Sequence, residues 1–492
     1  MTYTKGNGLY LMKTPRLKSL RILVILICVV SFYNSAKAQE GFVKQASPNI
    51  ILILADDLGY GDLGVYGQKI IQTPNLDRMA ANGMRFNHFY AGSTVCAPSR
   101  ASLLTGQHTG HTPIRGNKEI QPEGQAPIQA DALTIAELCK KVNYQTRAFG
   151  KWGLGFVGSQ GDPLKQGFDH FFGYNCQRQS HNYYPGHLWG DDIRIALPNG
   201  PQKQKVYAPD LIQKRALEFI RSSHEAPFFL YLAYTLPHAA LQVPEDTLFE
   251  FYKKQLNEQP VTIDTGWNGI GYQPTAYPKA AYATMVSRLD AYVGEVLDAL
   301  KASGMDSNTL VIFTSDNGPH QEGGNDPYFF NSNGGLRGIK RDLYEGGVRV
   351  PMIASWPGKI AAGTSSDHIG AGWDILPTIA AITGISHPVS DGVSFLPELL
   401  HQTGQKTHQF LYWEFHEGGG KQAIRMGKWK GIRLNVRKNP NSPIELYDLQ
   451  RDPDEKRNLA NSHPDIVRLI SERMKESHTP NEQFPLIGIL NK

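Results

Sequence analysis

The chain has 492 residues, of which 40% are hydrophobic and 19% charged, and its formal net charge is +5. This composition excludes a disordered chain and a coiled coil. The length exceeds what one hydrophobic core usually serves, so we expect one large domain with a smaller subdomain.

The N-terminal segment 1–38 has the pattern of a secretory signal peptide. Residues 22–30 form an apolar run that is too short to span a bilayer, and basic residues precede it. Ala36 and Ala38 have the spacing of a cleavage site. We therefore expect cleavage near Ala38 and an exported, periplasmic or extracellular, mature protein without a membrane span. An uncleaved anchor is the alternative.

Removal of this segment changes the charge argument. Residues 1–38 contain six basic residues and no acidic ones, so the rest of the chain has 44 basic and 45 acidic residues, a formal charge of −1. The mature chain has no basic excess, so we predict no nucleic-acid partner. Its three cysteines, Cys96, Cys139 and Cys176, are too few for a disulfide framework.

Apolar strands alternate with amphipathic helices through the first four-fifths of the chain. Residues 49–57, 227–235 and 309–318 read as buried strands with polar carboxyl ends. Helices are predicted after Thr73, at about 98–104, after Thr134, where Glu137 completes a capping box, and over 277–300. This order predicts an α/β fold with a mostly parallel sheet covered by helices on both faces.

The pattern changes near residue 385. Short strand-like segments with tight turns follow, and a closing helix is predicted over roughly 464–477. We therefore predict a catalytic domain over 47–385 and a C-terminal α+β subdomain over 386–492, with a small antiparallel sheet and a helix.

Three of the apolar strands end in polar side chains that could meet in one crevice, since the carboxyl ends of parallel strands lie at one edge of a sheet. These side chains are Asp56 and Asp57, His238, and Asp316 with Asn317. Carboxylate and amide oxygens are hard donors that suit Ca²⁺ or Mg²⁺ better than Zn²⁺.

The segment "CAPSRASLLTG", which begins at Cys96, resembles the C-x-P-S-R signature of the type I, formylglycine-dependent sulfatases. The segments "NIILILADDLGYGDLGVYG", "GKWGLG", "TSDNG" and "YEGGVRVPMIASWPG" resemble other blocks of that family in the same order. The resemblance covers about residues 48–460 and implies an alkaline-phosphatase-like α/β sandwich with a small C-terminal subdomain. It also implies a sulfuric ester hydrolase.

The resemblance implies a role for each matching residue. Cys96 is expected to be oxidised by a formylglycine-generating maturation enzyme, and the hydrate of the product is the expected nucleophile. One Ca²⁺, with Mg²⁺ the less expected ion, would be held by Asp56, Asp57, Asp316 and Asn317 together with the modified Cys96. Arg100 lies one helical turn after Cys96, so its guanidinium can return to the nucleophile. Lys151 and Lys340 match lysines that neutralise sulfate oxygens, and His238 matches the histidine beside the leaving oxygen.

One position departs from the family pattern. Many relatives have a histidine two residues after Lys151, where this chain has Gly153. We expect another residue, such as His181, to fill the gap, or the site to accept a differently oriented ester. His181 and Arg341 lie in segments rich in aromatic and polar side chains, which suit a sugar. The predicted substrate is a sulfated carbohydrate, with exo-desulfation of 4-O-sulfated galactose or N-acetylgalactosamine as the specific expectation.

Two other functions are compatible with these features. A phosphatase or phosphodiesterase of the same superfold would need further His and Asp ligands for a second metal ion and an alkoxide in place of Cys96. A secreted glycan-binding protein without turnover would keep the cleft and lose the chemistry. Sulfate release compared with phosphate release from matched aryl esters separates the three.

Overall fold

The computed structural model describes residues 1–9, 11, 47–200, 203–263, 271–388 and 390–487. The predicted apolar run of the signal peptide and its cleavage position at Ala38 lie outside the described residues. Residues 48–492 form one unit and residues 1–47 another. The boundary between 385 and 386 stays a prediction. In the described part of the chain, no helix has both the length and the hydropathy of a membrane-spanning segment.

A ten-stranded mixed sheet forms the main layer, in the order β12-β2-β11-β10-β1-β9-β5-β6-β7-β8. The central strands β10, β1, β9, β5 and β6 run parallel, and antiparallel neighbours flank them on both sides. The strands are β1 Asn49–Ala55, β2 Met84–Tyr90, β5 Gln145–Lys151, β6 His170–Tyr174, β7 His187–Gly190, β8 Ile193–Ala196, β9 Phe228–Ala233, β10 Thr309–Ser315, β11 Met352–Ser355 and β12 Thr364–Ala371. A separate short hairpin pairs β3 Glu119–Ile120 with β4 Gly124–Gln125.

Helices pack on both faces of this sheet, as predicted. The helices of the described residues are α1 Pro74–Ala81, α2 Cys96–Thr105, α3 Ile135–Lys140, α4 Ala208–Arg221, α5 Thr247–Leu256, α6 Pro278–Ala302, α7 Glu345–Val348, α8 Ile375–Thr383, α9 Leu396–Leu399 and α10 Pro464–Ser477, of which α10 packs on the C-terminal sheet. Successive residues of β1 point to opposite faces, so Ile51 and Ile53 pack with α1, α4, α5 and α6, whereas Leu52 and Leu54 pack with α2, α3 and α8. Burial on both faces explains why β1 is a continuous apolar run.

Two helix starts show how local chemistry sets the element boundaries. The capping box of Thr134 and Glu137 is present at the start of α3, as predicted, because each side chain bonds the other's backbone N–H. Thr73 precedes α1, but its hydroxyl does not cap the helix. It accepts a hydrogen bond from Gly64 N at 2.8 Å, so it ties the preceding turn to the helix instead.

The C-terminal part contains a four-stranded antiparallel sheet in the order β13-β14-β15-β16, followed by α10. Its strands are β13 Leu411–Phe415, β14 Lys421–Met426, β15 Trp429–Leu434 and β16 Ile444–Asp448. Ile470 and Met474 of α10 pack on this sheet with Tyr412 and Ile424. The prediction of a small antiparallel sheet and a closing helix is confirmed. With the ten-stranded sheet, it gives the alkaline-phosphatase-like architecture.

Candidate active site

The predicted site residues meet at the carboxyl edge of the central parallel strands. Asp56 and Asp57 follow β1, and Asp316 and Asn317 follow β10, its parallel neighbour. The backbone N–H of Asp57 donates to Oδ1 of Asp316 at 3.1 Å. All four residues are buried. The pairs Asp56–Asp57 and Asp316–Asn317, which are 260 positions apart in sequence, therefore become one cluster because their strands end side by side.

Cys96 is the first residue of α2, and its thiol faces this cluster. Its Sγ lies 3.2 Å from Oδ1 of Asp56 and 4.0 Å from Oδ1 of Asp57. Burial and the Asp56 carboxylate raise the pKa of the Cys96 thiol well above its usual value. The unmodified side chain is therefore a protonated thiol, which is a poor nucleophile.

Arg100 and Lys151 supply positive charge on one side of the cluster. The Arg100 guanidinium donates to Oδ2 of Asp316 at 2.8 and 3.0 Å and to the backbone oxygen of Lys151 at 3.0 Å. Lys151, the last residue of β5, donates from Nζ to Oδ2 of Asp56 at 2.6 Å. The helical turn between Cys96 and Arg100 thus directs the guanidinium at the Asp316 carboxylate beside the thiol.

Lys340 and His238 lie on the other side. Lys340 Nζ donates to Oδ2 of Asp57 at 2.7 Å and to Nε2 of His238 at 3.0 Å. Since Nε2 accepts this hydrogen bond, the ring proton is on Nδ1, which donates to the backbone oxygen of Ala239. Burial and the Lys340 ammonium lower the pKa of His238 well below its usual value. His238 is a neutral imidazole with a lysine ammonium directed at its Nε2.

The charges of this cluster balance without a bound ion. Three buried carboxylates face three buried cations: Asp56, Asp57, Asp316, Arg100, Lys151 and Lys340. Burial and the nearby Asp56 carboxylate raise the pKa of Asp316 to about 7, which reflects repulsion between the acids. A divalent cation would relieve that repulsion and leave the site with a net positive charge for an anionic substrate.

Asn317 fits the cation that the family implies. Its Nδ2 donates to Oδ1 of Asp57 at 2.7 Å and to the backbone oxygen of Gly318 at 2.9 Å, while its buried Oδ1 has no hydrogen-bond partner. A buried acceptor without a donor is costly unless a ligand satisfies it. The neighbouring donors are carboxylate oxygens, so the set suits a hard cation such as Ca²⁺.

His181 and Arg341 lie at two ends of this site. The His181 ring stacks on His238, with centroids 4.9 Å apart and an angle of 6° between the planes. The ring of Tyr272 also contacts that of His181, with centroids 5.0 Å apart and an angle of 57° between the planes. Arg341 follows Lys340, and its half-exposed guanidinium pairs with Glu322. Both predicted substrate contacts therefore lie next to residues of the cluster, where a substrate beyond the ester could reach them.

The side chain next to Gly153 is Gln177. A Cβ placed on Gly153 would lie 2.3 Å from Nε2 of Gln177, and the φ of Gly153 is +74°, in the region that favours glycine. Gln177, rather than His181, therefore occupies the space that a side chain at position 153 would need. The sequence analysis missed Gln177. The only available signal was its location in a loop segment that also contains His181.

Among the residues that the structure describes, two further groups contain several potential metal ligands. His320 and Glu322 lie near Asp57, but the His320 ring already bonds the backbone oxygen of Pro237 through Nε2 at 3.0 Å. His108, His111 and Asp391 form the other group. In that group the Gly110 N–H donates to Nδ1 of His108 at 3.1 Å, so Nε2 carries the ring proton and is not a free ligand.

Comparison with known proteins gives one consistent result. The family model "Sulfatase" matches residues 48–385, and "N-sulphoglucosamine sulphohydrolase, C-terminal" matches residues 338–480. N-acetylgalactosamine-6-sulfatase of Rattus norvegicus is 34% identical over 78% of this chain and 71% of its own length. Arylsulfatase A of Homo sapiens is 32% identical over 88% of each chain. The crystal structure of Ps i-CgsB in complex with k-i-k-neocarrahexaose has a TM-score of 0.74 and 30% identity, covering 87% of this chain and 92% of that one.

Proposed function

The chain belongs to the sulfatase family and is a sulfuric ester hydrolase, and from the geometry of its site we propose that it releases sulfate from a sulfated carbohydrate, with Cys96 as the position of the nucleophile. The observation that carries this assignment is the placement of Cys96. A buried helix-start thiol lies 3.2 Å from Asp56 in a cluster with three cations.

The chain's own residues bind and orient the ester. Arg100 and Lys151 on one side and Lys340 on the other lie around the thiol, so a sulfate placed at Cys96 would be surrounded by three donors of positive charge. Each cation is held in place by a carboxylate, which fixes its direction before substrate arrives. The donors are therefore preorganised for an anion.

The leaving oxygen needs a proton, and His238 is the candidate to supply it. Nε2 of His238 accepts a hydrogen bond from Lys340 Nζ at 3.0 Å, so the ring nitrogen and the ammonium lie together on the side of the site where the leaving oxygen would depart. The bond from Nδ1 to the Ala239 backbone oxygen fixes the ring orientation. We propose His238 as the general acid, which requires a proton on Nε2 in the substrate complex, and Lys340 as a positive charge for the sulfate oxygens.

Two groups outside the twenty amino acids belong to this proposal. Asp56, Asp57, Asp316 and Asn317 would hold one Ca²⁺, and Cys96 would be converted to formylglycine by a maturation enzyme of the host. When present, the ion supplies positive charge for the sulfate and the aldehyde hydrate supplies an activated hydroxyl nucleophile. An intact mass tests the conversion, because the change from Cys to formylglycine lowers the mass by about 18 Da.

The proposed sugar is 4-O-sulfated galactose or N-acetylgalactosamine, attacked from a chain end. The name of the rat relative supports N-acetylgalactosamine, and the neocarrahexaose complex supports an oligosaccharide substrate for this architecture. The name of that relative specifies a sulfate at position 6 of the sugar, so the position of the sulfate on the sugar is what the experiment must test. His181 and Arg341 are the proposed ring contacts.

The experiment is a panel of mono- and disaccharides sulfated at a single position, together with an aryl sulfate and the matching aryl phosphate. We expect sulfate release from the aryl sulfate, little phosphate release, and the fastest reaction with the 4-O-sulfated galacto sugars. Faster release from 6-O- or 2-O-sulfated sugars would overturn the position and leave the sulfatase assignment intact. Phosphate release alone would favour the phosphatase alternative.

We also propose that the protein acts outside the cytoplasm. The signal-like segment 1–38 is the support for this location. N-terminal sequencing of the secreted protein should begin after Ala38, and recovery of an intact N-terminus from the membrane fraction would favour the anchor.

A further inference from the structure

Gln177 carries two buried hydrogen-bond donors that the protein leaves unused. The residue is 4% exposed, and its Nε2 has no hydrogen-bond partner. A carboxamide N–H that is buried and unpaired costs free energy, so folding alone does not explain it. A glutamine at this position is instead explained if a ligand accepts its hydrogen bonds.

The backbone around Gln177 belongs to the edge of the sheet that carries the active site. The pairing of β5 with β6 continues past the strand ends, because Trp152 N donates to Tyr174 O at 3.0 Å and Gly153 N to Asn175 O at 3.3 Å. Gln177 therefore lies just beyond the end of β6, beside the segment that carries Lys151, whose Nζ is 2.6 Å from Asp56.

The other end of the same loop reaches the general acid. Ser180 Oγ donates to the Gln177 backbone oxygen at 2.6 Å, and the His181 ring stacks on His238. His181 O in turn accepts from Ala240 N at 3.2 Å. The loop 175–181 thus runs from beside Gly153, two residues after Lys151, to His238, and Gln177 lies on this loop between the two points.

Gly153 makes room for this carboxamide. Any side chain at position 153 would collide with Nε2 of Gln177, since the Cβ position is 2.3 Å from that atom. The carboxamide of Gln177 can therefore occupy its position only because residue 153 is a glycine. A neutral amide donor fills the space and adds no charge to the balanced cluster of carboxylates and cations.

We propose that Gln177 is a substrate-binding residue whose Nε2 donates a hydrogen bond to an oxygen of the bound sulfate ester on the Lys151 side of the site. This inference rests on the proposed function, because it needs a sulfate at Cys96. The ligand chemistry is an oxyanion of the sulfate group. Nε2 of Gln177 makes no hydrogen bond in the protein, so it can pair with the anion alongside the remaining N–H groups of Arg100, Lys151 and Lys340.

The test compares Gln177→Leu and Gln177→Glu with wild type in steady-state hydrolysis of an aryl sulfate and in competitive inhibition by inorganic sulfate. A lost hydrogen bond to a charged group should lower kcat/KM and weaken sulfate inhibition by about 10- to 100-fold. Gln177→Glu should lose more, because a carboxylate repels the anion. The melting temperature of Gln177→Leu should be equal to or above that of wild type, because the substitution removes buried donors that have no partner.

Gln179→Leu is the matched control on the same loop. Gln179 accepts from Asn175 N at 2.8 Å and donates to His187 O at 3.1 Å, so this variant breaks two loop hydrogen bonds and should lower the melting temperature with a much smaller effect on sulfate inhibition. If Gln177→Leu is destabilised and inhibition by sulfate is unchanged, Gln177 is structural and the inference is wrong. If wild type itself releases no sulfate from any ester, the proposed function fails instead.

Discussion

The active site and a second buried cluster of charged residues differ in how their polar atoms are paired within the protein. In the active site, the acids and bases around Cys96 leave Oδ1 of Asn317 without a partner, and the adjoining loop leaves Nε2 of Gln177 without one. In the second cluster, named here the junction cluster, Glu345 accepts from Lys430 at 2.8 Å and from Tyr90 at 2.6 Å. Both oxygens of Glu345 are satisfied by side chains of the protein.

The junction cluster connects the two sheets. Tyr90 ends β2 of the main sheet, Glu345 begins α7, and Lys430 lies in β15 of the small sheet. The Glu345 backbone N–H also donates to Glu455 at 2.7 Å. Burial of charge therefore does not by itself mark a functional site. Oε1 of Glu455 in the junction cluster is also buried without a partner, so an unsatisfied atom does not mark a functional site by itself. The active site is marked by such atoms at converging strand ends, beside a thiol and three cations, where a ligand can pair with them.

The largest expected effect is the loss of sulfate release when Cys96 of the active site is replaced. Cys96→Ala should lower sulfate release by at least about 1,000-fold, because it removes the side chain that provides the nucleophile. Losses of this size are typical when the nucleophile of an enzyme is removed. The melting temperature should change little, since Sγ makes only weak contacts with Asp56 and Asp57. Kinetics with an aryl sulfate and a thermal melt measure both.

Cys139→Ala is the control for that substitution. Cys139 is also buried and free, but it is a residue of α3 that packs in the hydrophobic core, away from the acids. This variant should keep full turnover and lose some stability, because it removes one buried sulfur. Substantial turnover by Cys96→Ala would contradict the nucleophile assignment.

The next effect breaks the junction cluster. Lys430→Met removes the cation that donates to the buried Glu345 carboxylate at 2.8 Å, while Arg349 and Arg425 remain at 3.8 and 3.9 Å, so the free energy of unfolding should fall by about 3 kcal/mol. Chemical denaturation measures it, and kcat of the folded fraction should stay near that of wild type.

Lys428→Met is its matched control on the same hairpin. Lys428 donates to Asp448 at 2.8 Å, but its side chain is 43% exposed, so the loss should stay below about 1 kcal/mol. Equal losses in the two variants would show that the junction cluster has no special role in stability.

Removal of the divalent ion should affect the active site alone. With the ion at 1,000 times its Kd, chelation should lower the free energy of unfolding by about 4 kcal/mol and abolish sulfate release, and added Ca²⁺ should restore both. Lys430→Met should respond to chelation by the same amount as wild type. No change in activity or melting temperature after exhaustive chelation would refute the single-cation site.

The features that could be predicted from the sequence are those that depend on residues close together in the chain. The strands before Asp56 and Asp316, the capping box at Thr134 and the cluster of strand ends follow from short-range patterns. Gln177 could not be predicted, because its importance depends on the backbone at Gly153 and on an unpaired atom that only the folded loop reveals. The pairing of Glu345 with Lys430 is likewise a tertiary contact between elements 85 positions apart.

The smallest effect concerns Asp62, a third kind of buried carboxylate with no cation bonded to it. It accepts hydrogen bonds from Tyr282, Ser332 and the Gly59 N–H, and the charge of His320 also acts on it. Burial raises the pKa of Asp62 to about 6.

Because the folded state holds the proton more tightly than the unfolded state, this carboxyl's contribution to stability is fully present below about pH 4 and is lost as pH rises through about 6. A pKa of about 6, compared with 3.8 for an ordinary aspartate, corresponds to a loss of about 3 kcal/mol of folding stability by neutral pH. Asp62→Asn imitates the protonated acid, so the difference in unfolding free energy between wild type and variant should grow in favour of the variant from pH 4 to pH 7. Urea denaturation at both values measures it, and a difference that does not change with pH would mean that hydrogen bonds from Tyr282 and Ser332 keep Asp62 ionised throughout.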